Sequence, residues 1–187
     1  MKYDEIRYKS LCLIEEVDPE SEYLTDDPDL AAKHVEVTNQ VMFEMARIKK
    51  IPKYVEIPVS KGDVLTLEDI GVACGYEIYQ VSMLNGVDYV SRADGTVYKI
   101  LENGVAEIDV YVYPERITEK TKPRAYEFEL SADALEVLPY GIAADLLKSD
   151  ESAGYGKIYA ERYEAMLRRL DPRYKISDIV MVGGVRI

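Results

Sequence analysis

The apolar period of this chain changes twice, and the two changes constrain its fold more than any other feature. Up to Pro52, hydrophobic residues recur every three or four positions; from there to about residue 130 they alternate; from Ser131 the longer period returns. Helices repeat at 3.6 residues and strands at 2, so helical segments enclose a sheet-rich middle. The stretch from Ser131 to Pro172 organises the rest. It reads as two helices joined by a short acidic turn. In the first, Leu135, Leu138, Ile142, Ala143, Leu146 and Leu147 form a wide apolar stripe. In the second, Tyr155, Tyr159, Tyr163, Met166 and Leu170 fall on one face, while Glu161, Arg162, Glu164, Arg168 and Arg169 fall mostly on the other. Two such helices cannot cover each other's stripes alone and need further helices or a sheet.

The N-terminal segment supplies those partners. Ile6, Leu11, Ile14 and Val17 predict a helix over 4–17. Eight carboxylates and no Lys or Arg follow between Glu15 and Asp29, broken by Pro19 and Pro28; this is a solvated loop without the order of a calcium loop. Asp26 or Asp27 before Pro28 opens a long helix over 28–50. Leu30, Val37, Val41, Phe43, Met45 and Ile48 supply its buried side, and Arg47, Lys49 and Lys50 favour its C-terminal end. Its single histidine, His34, has no Cys or His at ligand spacing and reads as a surface or boundary residue. Cys12 and Cys74 lie in apolar surroundings, which predicts buried free thiols.

In the middle, Val55, Ile57 and Val59 alternate with Tyr54, Glu56 and Pro58, and Tyr76, Ile78 and Gln80 alternate with Glu77, Tyr79 and Val81. Residues 88–113 predict a three-stranded meander turning at Asp94-Gly95 and Asn103-Gly104. Its last strand places Ile108, Val110 and Val112 inward and Glu107, Asp109, Tyr111 and Tyr113 outward. Tyr126, Phe128 and Leu130 predict one more strand. The expected architecture is α+β: a discontinuous helical bundle of residues 1–52 and 131–172, with an inserted antiparallel β-sandwich or barrel over 53–130. The remaining segment, 173–187, is an apolar C-terminal arm containing Ile179, Val180, Met181, Val182, Val185 and Ile187. It fits either a last strand on its own domain or an arm that pairs with a neighbouring subunit.

Charge and chemistry narrow the function. A formal charge of −12 and a pI near 4.6 oppose nucleic-acid binding, which depends on Lys and Arg neutralising phosphates. No apolar run approaches the roughly 18 residues of a membrane span. The charged start MKYDEIRYKS is unlike a signal peptide, which predicts a cytoplasmic protein. There is no phosphate loop, dinucleotide fingerprint or paired-cysteine metal motif, and one histidine builds no nucleophile triad, so neither an enzyme nor a cofactor is expected. Sixteen tyrosines with no tryptophan are uncommon. Tyr111 and Tyr113, with Tyr79 and Tyr89 nearby, form a candidate face for protein contact, or for stacking on sugars as a carbohydrate-binding module would.

The order of segments resembles the head-tail connector (adaptor) proteins of tailed bacteriophages and prophages. The resemblance lies in TDDPDLAAKHVEVTNQVMFEMA with Asn39 and Ala46 at its centre, the Ile51-Pro52 exit into strands, VYVYPERIT, and above all LPYGIAADLLKSDESAGYGKIYAERYEAML over 138–167. It covers about residues 24–170 and includes no catalytic motif. The resemblance implies a ring of copies beneath the portal protein that extends the DNA channel, with the C-terminal arm docking on the portal and the β insertion meeting tail protein or neighbouring subunits. It also implies residence in the host cytoplasm during assembly and then in the virion. A carboxylate-lined channel would let DNA slide without sticking.

Overall fold

The computed structural model describes residues 1–21, 24–118, 120–149 and 153–170. The chain is α+β and divides into two compact units. One is helical, built from the described residues before Lys50 together with those from Arg116 onward; the other is Lys50–Glu115.

The helical unit is arranged around α4 (Ala132–Leu146), which packs against α1 (Tyr3–Leu13), α2 (Pro28–Lys49) and α5 (Ala153–Leu170). Ala134, Leu135, Val137, Leu138, Pro139, Gly141, Ile142, Ala143, Ala144 and Leu146 are all buried, so α4 is apolar nearly all round and has neighbours on several sides. Pro139 lies inside it and cannot donate a hydrogen bond to the Leu135 carbonyl. Asp27 caps α2, its carboxylate accepting from the amides of Asp29 at 2.9 Å and Leu30 at 3.1 Å, with Pro28 in the first turn as expected. Lys50, in the left-handed region at φ 51°, turns the chain out of α2. Lys49 then pairs with Asp133 at 2.5 Å, joining the end of α2 to the start of α4. The Lys49 hydrogen bond, with one from Ser131, pulls the Asp133 carboxyl down to about 2.

The segment predicted as a strand over 126–130 belongs here instead. Among the described residues its only ladder contact is a bridge between Lys2 and Glu127, and Phe128 and Leu130 are buried. The rings of Tyr3, Tyr126 and Phe128 meet edge to face, with Tyr126 and Phe128 5.2 Å apart. The alternating pattern is thus satisfied by burying Phe128 and Leu130, with no neighbouring strand among the described residues. Asn39 fixes the start of this return: its amide donates to the Ile117 carbonyl and its oxygen accepts from the Ile117 amide, both at 2.8 Å.

His34 is fully buried, against the expectation of a surface residue. Its Nε2 lies 2.7 Å from Ser10 Oγ; its Nδ1 lies 3.2 Å from Thr38 Oγ1 and 3.3 Å from the Tyr3 hydroxyl. Thr38 donates to the His34 carbonyl and Ser10 to the carbonyls of Ile6 and Arg7, so the hydroxyls that face the ring are themselves anchored on the backbone of α1 and α2. Burial, and then the charge of the neighbouring buried Arg7, push the imidazole down to about 3. The ring is therefore neutral at physiological pH.

The Lys50–Glu115 unit contains two three-stranded antiparallel sheets and no closed barrel. The first orders β1 (Ile51–Val59), β6 (Gly104–Val112) and β3 (Ile78–Asn85); the second orders β2 (Val64–Thr66), β5 (Val97–Ile100) and β4 (Tyr89–Ser91). Asp94-Gly95 lies between the paired β4 and β5, as predicted. Asn103-Gly104 is no hairpin, because β5 and β6 belong to different sheets and the expected meander is split. Asn103 instead accepts from the Lys61 amide at 2.7 Å. Helix α3 (Leu67–Cys74), unexpected from periodicity, packs on β1, β2 and β3. Thr66 and Asp69 form its capping box, and Gly75 closes it in the left-handed region at φ 77°. Ile70, Leu84, Tyr98, Ile100, Ala106, Ile108, Val110 and Val112 are buried in this unit. Cys12 is exposed and Cys74 half-buried, both free, which corrects the expectation of buried thiols. The buried positions of α1 are Tyr3, Ile6, Arg7, Ser10 and Leu11, and Cys12 falls one step further round.

The unfolded chain protonates its single histidine near pH 6.5 and the folded chain near 3, so this contribution to stability is complete above 6.5 and falls as pH drops. At about 1.4 kcal/mol per pH unit, urea unfolding should lose about 2 kcal/mol between pH 7 and pH 5, and His34→Gln should lose less than half of that. At Gly141, an added Cβ would lie 2.7 Å from both a Tyr163 ring carbon and Val41 Cγ1. Gly141→Ala should therefore cost about 1–2 kcal/mol in a urea titration, because overpacking outweighs the gain of up to about 1 kcal/mol in helix propensity.

Candidate interaction surfaces

The arm residues Ile179, Val180, Met181, Val182, Val185 and Ile187 lie outside the described residues. The tyrosine face is described, and its two members differ. Tyr111 is half-buried, with Lys50 Nζ 4.6 Å from its ring centroid and Ser82 Oγ 3.1 Å from its hydroxyl. Tyr113 is buried, only 8% exposed, and packs against Tyr79 with centroids 4.9 Å apart. The predicted outward position of Tyr113 is therefore corrected. It follows the end of β6 at Val112, where alternation no longer fixes the side a residue takes. Tyr89 is elsewhere, packed on Tyr98 at 5.7 Å in the second sheet. The tyrosines thus divide between core and surface and do not form one platform.

What strand register does assemble is an acidic outer face on β1-β6-β3. Tyr54, Asp109 and Met83 form one cross-strand row; Glu56, Glu107 and Asn85 form the next; Pro58 and Val105 follow. Every one of these residues is exposed, including Tyr54 at 55%, Met83 at 53% and Val105 at 43%. Glu56 stands directly opposite Glu107, an unfavourable pairing of like charges. Tyr54 donates its hydroxyl proton to Glu56 at 2.8 Å. That bond, followed by partial burial and the charges of Glu56, Glu107 and Asp109, raises the Tyr54 hydroxyl to about 12.

In the helical unit, α5 presents the opposite sign. Its inner side consists of Gly156 and Tyr163, with Tyr159, Met166 and Leu167 half-covered and Leu170 at its end. Tyr163 donates to Glu44 at 2.8 Å; burial and that carboxylate raise its hydroxyl above the ordinary tyrosine range. Tyr155, expected on this buried side, is instead 68% exposed, and Ile158 is 59% exposed. Tyr155, Ile158, Arg162, Ala165 and Arg169 recur at three- and four-residue steps and make one exposed stripe. The Arg162 guanidinium lies 4.4 Å from the Tyr140 ring centroid.

Ser10 and His34 approach as a nucleophile and base would, yet both are fully buried, and the second ring nitrogen faces hydroxyls rather than a carboxylate. A wide depression of about 1160 Å³ in the helical unit mixes Arg7, Lys9, Lys122 and Arg124 with Asp4, Glu5 and Glu20, so its charges do not select a ligand sign. Among the described residues no three His, Cys, Asp or Glu side chains are grouped to hold a metal, and no helix is long and apolar enough to cross a membrane. No protein-family model and no curated protein matches the chain.

The sequence contained the residues of the acidic face but not their opposition, which only register creates. Thr66, Asp69 and Gly75 are the local signals that mark α3, a helix of eight residues and too short to show a period of its own. The division of tyrosines can be read from strand ends and burial: Tyr113→Ala should lower the stability of the chain by about 2–4 kcal/mol in urea unfolding. Tyr54→Ala should leave the midpoint where it is.

Proposed function

We propose that this chain is a non-enzymatic structural protein of a bacteriophage or prophage virion, a head-tail connector. It assembles as a ring beneath the portal protein and extends the DNA channel. The observation that carries the reading is the discontinuous helical unit: both flanks of the chain build one body, and Lys50–Glu115 leaves it as a separate unit. This is the order of parts that the resemblance over residues 24–170 implies. The acidic balance supports it, since a channel wall of negative charge repels the DNA backbone. The protein works in the host cytoplasm during assembly and afterwards in the virion, with portal protein, neighbouring connector subunits and tail protein as partners. Its C-terminal arm is the segment that meets the portal. The carbohydrate-binding alternative called for Tyr111 and Tyr113 to be exposed together, and Tyr113 is buried.

Mixing the full chain with portal rings from the same phage, followed by gradient sedimentation and negative-stain microscopy, tests this. The chain should co-sediment with the portal and add a ring of density to one of its ends. Deletion of Val180–Ile187 should abolish that association with helix content unchanged by circular dichroism. A full chain that stays at the top of the gradient sinks the connector reading.

A further inference from the structure

We propose that copies of this chain associate head to tail, with the outer face of β1-β6-β3 on one copy docking on the exposed stripe of α5 on the next. The inference deepens the connector reading and rests on it for the identity of the partner, a second copy. The surfaces themselves are assigned by charge and exposure.

The sheet face combines three exposed apolar side chains, Tyr54, Met83 and Val105, with Glu56, Glu107 and Asp109. The rows from Tyr54 to Val105 contain no Lys or Arg, Lys50 lying one row away over the Tyr111 ring, and the Glu56–Glu107 opposition is relieved by a cation brought close to both. Helix α5 has what this face lacks. Among the described α-helices it alone has a net positive charge, with Lys157, Arg162, Arg168 and Arg169 against Glu161 and Glu164, in a chain of net charge −12. Tyr155 and Ile158 supply apolar area beside the arginines. Each surface therefore pairs an apolar patch with a charge of opposite sign, the composition expected where steering and desolvation act together. The two surfaces differ, so the contact is heterologous. It propagates from copy to copy and gives a ring when the rotation between copies closes.

The test is sedimentation velocity of the full chain, with and without portal rings, at about 20 mM and about 500 mM salt, where screening differs strongly. The wild type should self-associate at low salt and dissociate at high salt. Glu56→Lys with Glu107→Lys, and separately Arg162→Glu with Arg169→Glu, should each weaken association about tenfold or more, as expected for loss of close charge pairs. Mixing the two double variants should restore it, because each reversed face then finds a reversed partner. Tyr155→Ala with Ile158→Ala, which leaves Arg162 on Tyr140, should weaken association without removing its salt dependence. Circular dichroism checks that every variant is folded.

Association that ignores the reversals, or a mixture that fails to recover, overturns the proposal. So does loss on Lys99→Glu, in the row between Val64 and Val90 of the second sheet, with the α5 variants neutral. Portal binding that persists through such a result leaves the connector reading standing. Salt-sensitive, reversal-sensitive self-association without portal binding supports the docking and sinks the connector. A wild type that is monomeric under all conditions overturns both.

Discussion

The burial of α4 is the constraint on which the helical unit depends. A helix apolar nearly all round must be enclosed on several sides, and its covers here are α1 and α2 from before the sheet unit and α5 from after it. Hydrophobic burial at about 25 cal/mol per Å² makes that enclosure the dominant favourable contribution. It also dictates organisation. Once the two flanks are held together, the chain between Lys49 and Arg116 leaves and returns as a closed excursion, and it can persist only by burying a core of its own. The apolar rows of β6 and the packing of α3 on β1, β2 and β3 provide one.

Polar contacts then set where the flanks meet. The Asn39 side chain satisfies both backbone groups of Ile117, and a slip of the returning chain would leave them unpaired. Ser10, Tyr3 and Thr38 do the same for the His34 ring between α1 and α2. A fully satisfied buried polar set contributes modestly to net stability while penalising alternative registers, because any half-satisfied arrangement leaves a desolvated group. The Lys49–Asp133 pair adds a link at the rim, with Asp133 half exposed and its attraction screened by solvent.

Charge is distributed as the proposed assembly needs it. The acids of the first sheet are concentrated on one face, and the bases of the last helix accompany exposed apolar residues. Both surfaces carry features that do not help a single copy: like charges oppose each other across strands, and Tyr155 and Ile158 remain in water. Features that cost the monomer free energy yet pair by sign and polarity fit a chain that functions as one member of a series.

Much of this was legible in the residues alone. The change of period located the four longer helices and the sheet-rich middle but not α3; Asp27-Pro28 opened α2 and Asp94-Gly95 marked its turn, because each is a local preference that neighbouring residues decide. Periodicity also placed Ile108, Val110 and Val112 on the buried face of β6. What the sequence could not decide was long-range pairing. Asn103-Gly104 has hairpin chemistry, yet β5 and β6 pair with different neighbours; Phe128 and Leu130 alternate like a strand, yet are buried in the helical unit; His34 is polar, yet sits fully buried among hydroxyls. Tyr155 shares a helical spacing with Tyr163 but lies outside the arc that the unit covers. In each case the local pattern fitted more than one environment, and the environment was set by which distant surfaces became available once α4 was enclosed.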